Sequence, residues 1–205
     1  AYDDVLVATG RRARLTGFGL EELGLVEKGR IAVNDRLATA FPHIYVAGDV
    51  AGNQQLTHGA SHEAWFATVN ALARPFKSFK ADYRVLPRVT YTDPEVASVG
   101  LTEAKAKEAG YEVKVGNFPF IGNGKAIALG EAEGFIKTVF DAKTGELLGA
   151  HMVGAEVTEL IQGYTVGKTL ETTEAELMQT VFPHPTLSEM MHESVLDAYG
   201  RALHF

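Results

Sequence analysis

Phe135-Ile-Lys-Thr-Val-Phe-Asp-Ala-Lys-Thr-Gly-Glu-Leu-Leu-Gly-Ala-His-Met-Val153 is the stretch whose reading decides the fold. Residues 135–140 and 147–153 read as strands, and the loop 141–145, closing on Gly145, turns one back antiparallel on the other. Upstream, 85–92 and 96–99 read as strands, Thr102 caps a helix running to Gly110, and 111–118 reads as a further strand. Downstream the helical patterns take over, at 156–170, 173–179 and 187–199. Strands followed by helices predict an α+β layer over 83–205, an antiparallel sheet with helices packed on one face.

Residues 1–82 are organised differently. They read as a strand at 5–8, a loop with Gly17 and Gly19, a short helix near 21–23, a hairpin around Asn34-Asp35 and a strand at 44–46. A helix follows from Gly59 to Arg74, with Trp65, Val69 and Leu72 on one stripe. Pro75 stops it, and 76–82 form a polar connector. A strand apolar on both faces, such as 5–8, needs neighbours in a sheet. The strands that follow are too few to supply them, so the chain is read as a piece of a longer protein.

Composition excludes several classes of function. Apolar residues at 46% and charged residues at 22% are those of a globular protein, not of a disordered or fibrous one. A net charge of −7, without a basic stripe, argues against a nucleic-acid partner. No apolar run has the length of a membrane span, so no membrane association is expected. With no cysteine, these residues hold no disulfide, thiolate metal site or cysteine nucleophile.

Three clusters carry groups suited to chemistry. In Phe41-Pro-His-Ile-Tyr-Val-Ala-Gly-Asp49 a hydrophobic strand ends in Gly48 and Asp49, where backbone approaches a ligand closely and a carboxylate accepts from hydroxyls. An Asp-initiated turn explains the same residues. In Gln55-Leu-Thr-His58 a helix begins, and helix N-termini favour anionic oxygens. His58 and His62 lie four apart, but without a His-Glu-x-x-His pattern or a third ligand they read as helix-start histidines, and no metal site is expected.

The third cluster, Phe182-Pro-His-Pro-Thr-Leu-Ser-Glu189, holds His184 between two prolines on a stiff loop. Thr186 and Glu189 have the spacing of a capping box ahead of Leu187, Met190, Met191, Val195 and Leu196. Two readings stand. Either Glu189 only closes its own helix, or it holds the His184 imidazole in one tautomer and leaves the other nitrogen for proton transfer.

In order and spacing these segments resemble the C-terminal part of the flavoprotein disulfide reductases along essentially the whole chain, most of all the dihydrolipoamide dehydrogenases. Val5-Leu-Val-Ala-Thr-Gly-Arg11 is similar to the end of that family's NAD domain, which makes Gly10 a cofactor-binding candidate. Ile44-Tyr-Val-Ala-Gly-Asp49 is similar to its second FAD signature, and Gln55, Leu56, Thr57 and His58 to the segment facing the flavin. Thr90-Tyr-Thr-Asp-Pro-Glu95 is similar to the opening of its dimerisation domain. His184-Pro-Thr-Leu-Ser-Glu189 is similar to the active-site motif of the lipoamide enzymes. The tail Arg201-Ala-Leu-His-Phe205 lacks the cysteine pair of mercuric reductases, although the 52–62 segment is nearer to theirs.

The resemblance implies an α/β remnant of an FAD/NAD-binding domain over 1–82 and an α+β dimerisation domain over 83–205. It implies FAD and NAD as cofactors, a homodimer, and His184 with Glu189 as the acid/base pair for dihydrolipoamide oxidation. It also implies a partner, the lipoyl-bearing acyltransferase of a 2-oxo acid dehydrogenase complex, and a bacterial cytoplasmic or mitochondrial matrix location without secretion. The redox-active cysteines would lie outside these residues, so this piece alone is expected to be inactive. The competing readings are a dimerisation module without catalysis, its surface formed by Met190, Met191, Val195 and Leu196, and a mercuric-reductase-like enzyme with another substrate.

Overall fold

A computed structural model describes residues 2–73 and 78–205. The chain divides into two compact units, residues 1–82 and 83–205.

The first unit contains little regular sheet. Strands β1 (Val26–Glu27) and β2 (Arg30–Ile31) form a hairpin, and Ile31 packs with Leu15 and Leu25 in a small core. The expected strand at 5–8 is not formed: Val5, Leu6 and Val7 are exposed, and no strand pairs with them among the described residues. A strand without a ladder partner leaves its backbone groups to solvent, which removes the reason to be extended. The expected helix near 21–23 is a series of turns. The expected hairpin around Asn34-Asp35 is a side-chain-stabilised turn, in which Asn34 Oδ1 accepts from the Arg36 and Ala38 N–H groups. The 44–46 strand reduces to one bridge between Ala38 and Tyr45.

Helix α1 (Thr57–Leu72) is formed, but its buried side is not the expected stripe. Trp65 and Leu72 are exposed, and the residues turned inward are Gly59, Glu63, Ala67 and Asn70. Their four-, four- and three-residue spacing is helical. Glu63 Oε2 accepts from Gly48 N at 2.6 Å, and Oε1 accepts from Asn53 at 3.1 Å. Asn70 donates to the carbonyls of Arg36 and Phe79 and accepts from Phe79 N. Buried polar groups are tolerable when satisfied in this way, and small residues beside them let the helix approach. The roles expected of Arg74, Pro75 and 76–77 lie outside the described residues.

The second unit is built on a five-stranded antiparallel sheet of order β3-β4-β7-β6-β5. Its strands are β3 (Arg88–Thr90), β4 (Glu95–Gly100), β5 (Val113–Pro119), β6 (Gly134–Asp141) and β7 (Leu147–Gly154). Its helices are α2 (Glu103–Glu108), α3 (Gly124–Leu129), α4 (Val157–Thr169), α5 (Glu174–Gln179) and α6 (Glu189–Asp197). Thr102 caps α2 as expected, and Thr173 with Glu176 forms a capping box on α5.

The main core joins Phe118, Ile136, Phe140, Leu147 and Met152 of the sheet to Ile161 and Tyr164 of α4 and Met190 and Val195 of α6. One helix departs from the one-face expectation. Val139 alternates with Phe140, so Phe140 joins the main core while Val139 packs with Ala106 of α2 on the opposite side. A register shift pairs Phe140 with Leu147 and leaves Leu148 as the extra residue of β7, which also packs with Ala106. The apolar side of α6 is consumed internally: Met190, Met191 and Val195 are buried, which removes them from any self-association surface.

Two contacts fix α6, one to the sheet and one to α4. Thr138 Oγ1 donates to the Ser194 carbonyl at 2.9 Å, and the Tyr164 hydroxyl donates to the Met191 carbonyl at 2.9 Å. Gly116 permits the approach, because a Cβ there would overlap the Ser194 carbonyl oxygen and crowd Ala198 N. Gly116→Ala should therefore destabilise the protein by about 1–3 kcal/mol, read as a lowered urea midpoint; an unchanged midpoint would refute the close contact. On the surface, Lys107 and then Lys137 hold the Glu103 carboxyl down at about 2, with Nζ–O distances of 2.6 and 2.7 Å. A carboxyl depressed on folding contributes stability above its ordinary value and loses it as pH falls through the folded value. Glu103→Gln should accordingly lower the urea midpoint at about pH 6 and match the parent chain near pH 2. Equal deficits at both pH values would rule this out.

Candidate active site

His184 and Glu189 meet. The loop 183–188 turns into α6, and Glu189, the first residue of that helix, reaches back to the imidazole with Oε1 at 2.9 Å from Nδ1. Its other oxygen, Oε2, accepts from Thr186 N at 2.8 Å. One carboxylate thus serves both functions that the spacing suggested, with one oxygen for each. The reciprocal half of the expected capping box is absent, because the Thr186 hydroxyl donates to the Pro183 carbonyl at 2.7 Å instead. The helix consequently begins at Glu189 instead of 187.

The charge state follows from the contacts. Partial burial pushes the Glu189 carboxyl up, but the Thr186 N–H and then His184 outweigh it, and the group lies below the ordinary glutamate range. An ionised carboxylate only accepts, so Nδ1 carries a proton in this pair, and in the neutral ring Nε2 presents the lone pair. The His184 side chain is 81% exposed while Glu189 is 29% exposed, so the imidazole projects from an anchored base.

Both residues line a cleft of about 360 Å³, whose wall includes Phe118, Asn123, Lys125, Phe182 and His192. The His192 ring stacks on Phe182 with centroids 5.3 Å apart, and its Nε2 donates to the Met178 carbonyl. A second histidine–glutamate pair shares this wall: buried Glu193 accepts from Leu203 N and from His204 Nδ1, at 2.9 and 2.7 Å. Sequence reading missed it, though Glu193 lies one turn beyond Glu189 on the same helix. It also missed buried Asn123, the N-cap of α3, whose signal is an Asn between two glycines ahead of a helical run.

In the first unit, Gly48 has φ 81 and ψ −157, a conformation open essentially to glycine alone. A Cβ there would stand 3.2 Å from the Cβ of Ala60. Glu63 on α1 holds the Gly48 N–H, and this ties the 48–49 turn to the start of that helix. Asp49 opens a one-turn 3-10 helix (Asp49–Ala51), and its carboxylate has no hydrogen-bond partner among the described residues. Leu56 is the N-cap of α1 and contributes no side-chain cap, Gln55 precedes it, and Thr57 and His58 form the first turn. His62, one turn further on, is engaged with the Asp82 carbonyl at 2.9 Å. Gly10 is not drawn in: it is exposed at φ 100 with open space around it.

Residues 86–195 match the family model of the pyridine nucleotide-disulphide oxidoreductase dimerisation domain, and residues 1–64 match that of the pyridine nucleotide-disulphide oxidoreductases. The chain is 58% identical over its whole length to dihydrolipoyl dehydrogenase of Zymomonas mobilis, covering 44% of that protein. It is 54% identical over 98% of its length to the Rhizobium etli dihydrolipoyl dehydrogenase, of which it covers 42%. Among solved structures it is similar to LpdA of Mycobacterium tuberculosis, with TM-score 0.82 and 26% identity over 90% of this chain and 40% of that one. The flavoprotein disulfide reductase RclA of Escherichia coli gives 0.83 and 26%, over 92% of this chain and 43% of that one. The chain spans less than half the length of the curated relatives it matches. With the dimerisation-domain model matching more than half of its residues, this chain belongs to the pyridine nucleotide-disulphide oxidoreductase family.

Proposed function

We propose that these residues are the C-terminal portion of a dihydrolipoyl dehydrogenase, in which His184 and Glu189 form the acid/base pair. The observation that carries this reading is the 2.9 Å contact between Nδ1 and Oε1, set in a chain whose relatives are named for that activity. In the proposed division, 1–82 closes the NAD and FAD domains and 83–205 is the dimerisation domain.

The 48–58 region fits FAD on three grounds. A glycine held in a glycine-only conformation keeps side chains out of the turn, the adjacent Asp49 carboxylate has acceptor capacity to spare, and α1 starts without a side-chain cap. Asp49 would accept hydrogen bonds from the hydroxyls of the ribityl chain, and the helix start formed by Gln55, Leu56, Thr57 and His58 would face the flavin ring with backbone N–H groups. Gly10 would belong to the NAD side. When bound, FAD supplies the electron relay between a thiol–disulfide couple and NAD.

The remaining chemistry is a proton transfer performed by this chain. Glu189 keeps the proton on Nδ1 and favours positive charge on the ring. Nε2 then takes the proton of a dihydrolipoamide thiol and leaves a thiolate, the nucleophile of disulfide exchange. The thiolate attacks a disulfide supplied from outside these residues, which contain no cysteine; a mixed disulfide forms as the original S–S bond breaks and its other sulfur leaves as a thiolate. The dimerisation domain supports a homodimer, with the exposed imidazole of one copy serving its twin. The substrate would arrive on the lipoyl domain of a 2-oxo acid dehydrogenase acyltransferase, and the relatives' bacterial origin favours the cytoplasm.

Two substitutions in the full-length protein test this assignment. His184→Gln should reduce dihydrolipoamide turnover by about 10²- to 10⁴-fold with the flavin absorbance unchanged, and near-normal turnover would remove His184 from the reaction. Asp49→Ala should lower flavin content after purification; full retention would detach Asp49 from the cofactor.

A further inference from the structure

Asn123 is 7% exposed and uses both ends of its carboxamide. Its Oδ1 accepts from Ala126 N at 2.9 Å and starts α3, and its Nδ2 donates to the Thr186 carbonyl at 3.1 Å, across 63 residues of sequence. The N–H of that same Thr186 donates to Glu189 Oε2, whose partner oxygen holds His184. Thr186 is therefore gripped from both sides: its carbonyl by Asn123, and its N–H by the carboxylate that orients the imidazole. The remaining group of the residue, its hydroxyl, is spent on the Pro183 carbonyl within the loop.

We propose that Asn123 is a positioning residue for the His184–Glu189 pair. It fixes the Thr186 peptide so that Glu189 divides its oxygens between backbone and imidazole and keeps Nε2 directed at substrate. The inference rests on the functional reading above and extends it to a residue outside the motif. Its physical basis is the directionality of the amide. Removing the Nδ2 donor leaves a part-buried carbonyl unsatisfied, at a cost relieved only by moving the loop. Glu189 then follows Thr186 N, or else keeps His184 and releases the backbone.

Asp and Ser separate this role from the capping role. Both are good N-caps and still accept from Ala126 N, but the Asp carboxylate repels the Thr186 carbonyl and the Ser side chain is too short to reach it. In the full-length flavin-loaded protein, Asn123→Asp and Asn123→Ser should lower kcat for dihydrolipoamide roughly 10- to 100-fold. KM should change little, as for an interaction realised in the transition state. The second readout does not depend on turnover. In ¹⁵N-histidine NMR spectra, with the His184 signal identified by its loss in His184→Gln, the Nδ1–H tautomer should dominate in the parent and become mixed in both variants.

An unchanged His184 tautomer in the folded variants overturns the proposal whatever turnover does, because any loss would then be structural. Unchanged kcat in the variants, where His184→Gln is inactive, overturns it as well. Should His184→Gln itself retain turnover, the acid/base reading fails, and the tautomer populations still decide whether Asn123 positions the pair. If the Asp variant does not fold, the uncharged Ser variant carries the same comparison.

Discussion

The divided carboxylate of Glu189 is the constraint on which the candidate site depends. With one oxygen on the Thr186 N–H and the other on His184 Nδ1, it joins the beginning of a helix to an exposed imidazole. A carboxylate has lone pairs enough for both, so neither contact excludes the other. The arrangement is only as rigid as the helix that carries it. Helix α6 is held by the Thr138 and Tyr164 hydroxyls and by the close approach that Gly116 allows. Sheet packing thereby becomes imidazole placement.

The same logic of satisfied polar burial recurs in the first unit with a different result. There α1 turns Glu63 and Asn70 inward, and both are engaged by the surrounding loops, Asn70 by backbone groups and Glu63 by the Gly48 N–H and the Asn53 side chain. Such bonds are directional, so they set where Gly48 and the following turn lie more tightly than apolar packing would. In the second unit, burial of large side chains from the sheet, α4 and α6 supplies cohesion, and the buried hydroxyls of Thr138 and Tyr164 add polar contacts inside that core. In the proposed assignment the two designs serve different ends, a cofactor-facing segment in the first unit and a subunit-joining domain in the second.

Much of the second unit was legible in the sequence. The hairpin at 135–153, the cap at Thr102 and the three later helices all depend on neighbours within a few residues, and all are formed. The first unit was much less legible. Apolar runs at 5–8 and 44–46 carry strand preference, but among the described residues the first has no ladder partner and the second only the Ala38–Tyr45 bridge, and strand preference is realised only through pairing. Trp65, Val69 and Leu72 mark an apolar stripe on α1, yet the buried side is the small and polar one, because its hydrogen-bond partners come from distant loops.

What the sequence alone determined is the content of the site, His184 and Glu189 five residues apart with a turn between them, and the α+β character of the domain that carries it. Those features are local: spacing, proline restriction and strand alternation act over one or two turns. Tertiary structure decided the strand order, the packing of α2 on Val139 and Leu148, the inward side of α1 and the link from Asn123 to Thr186. Each of these depends on which remote segment arrives beside a given residue, and the physical preference of that residue, as a cap, a strand former or a polar group needing a partner, is compatible with many arrivals.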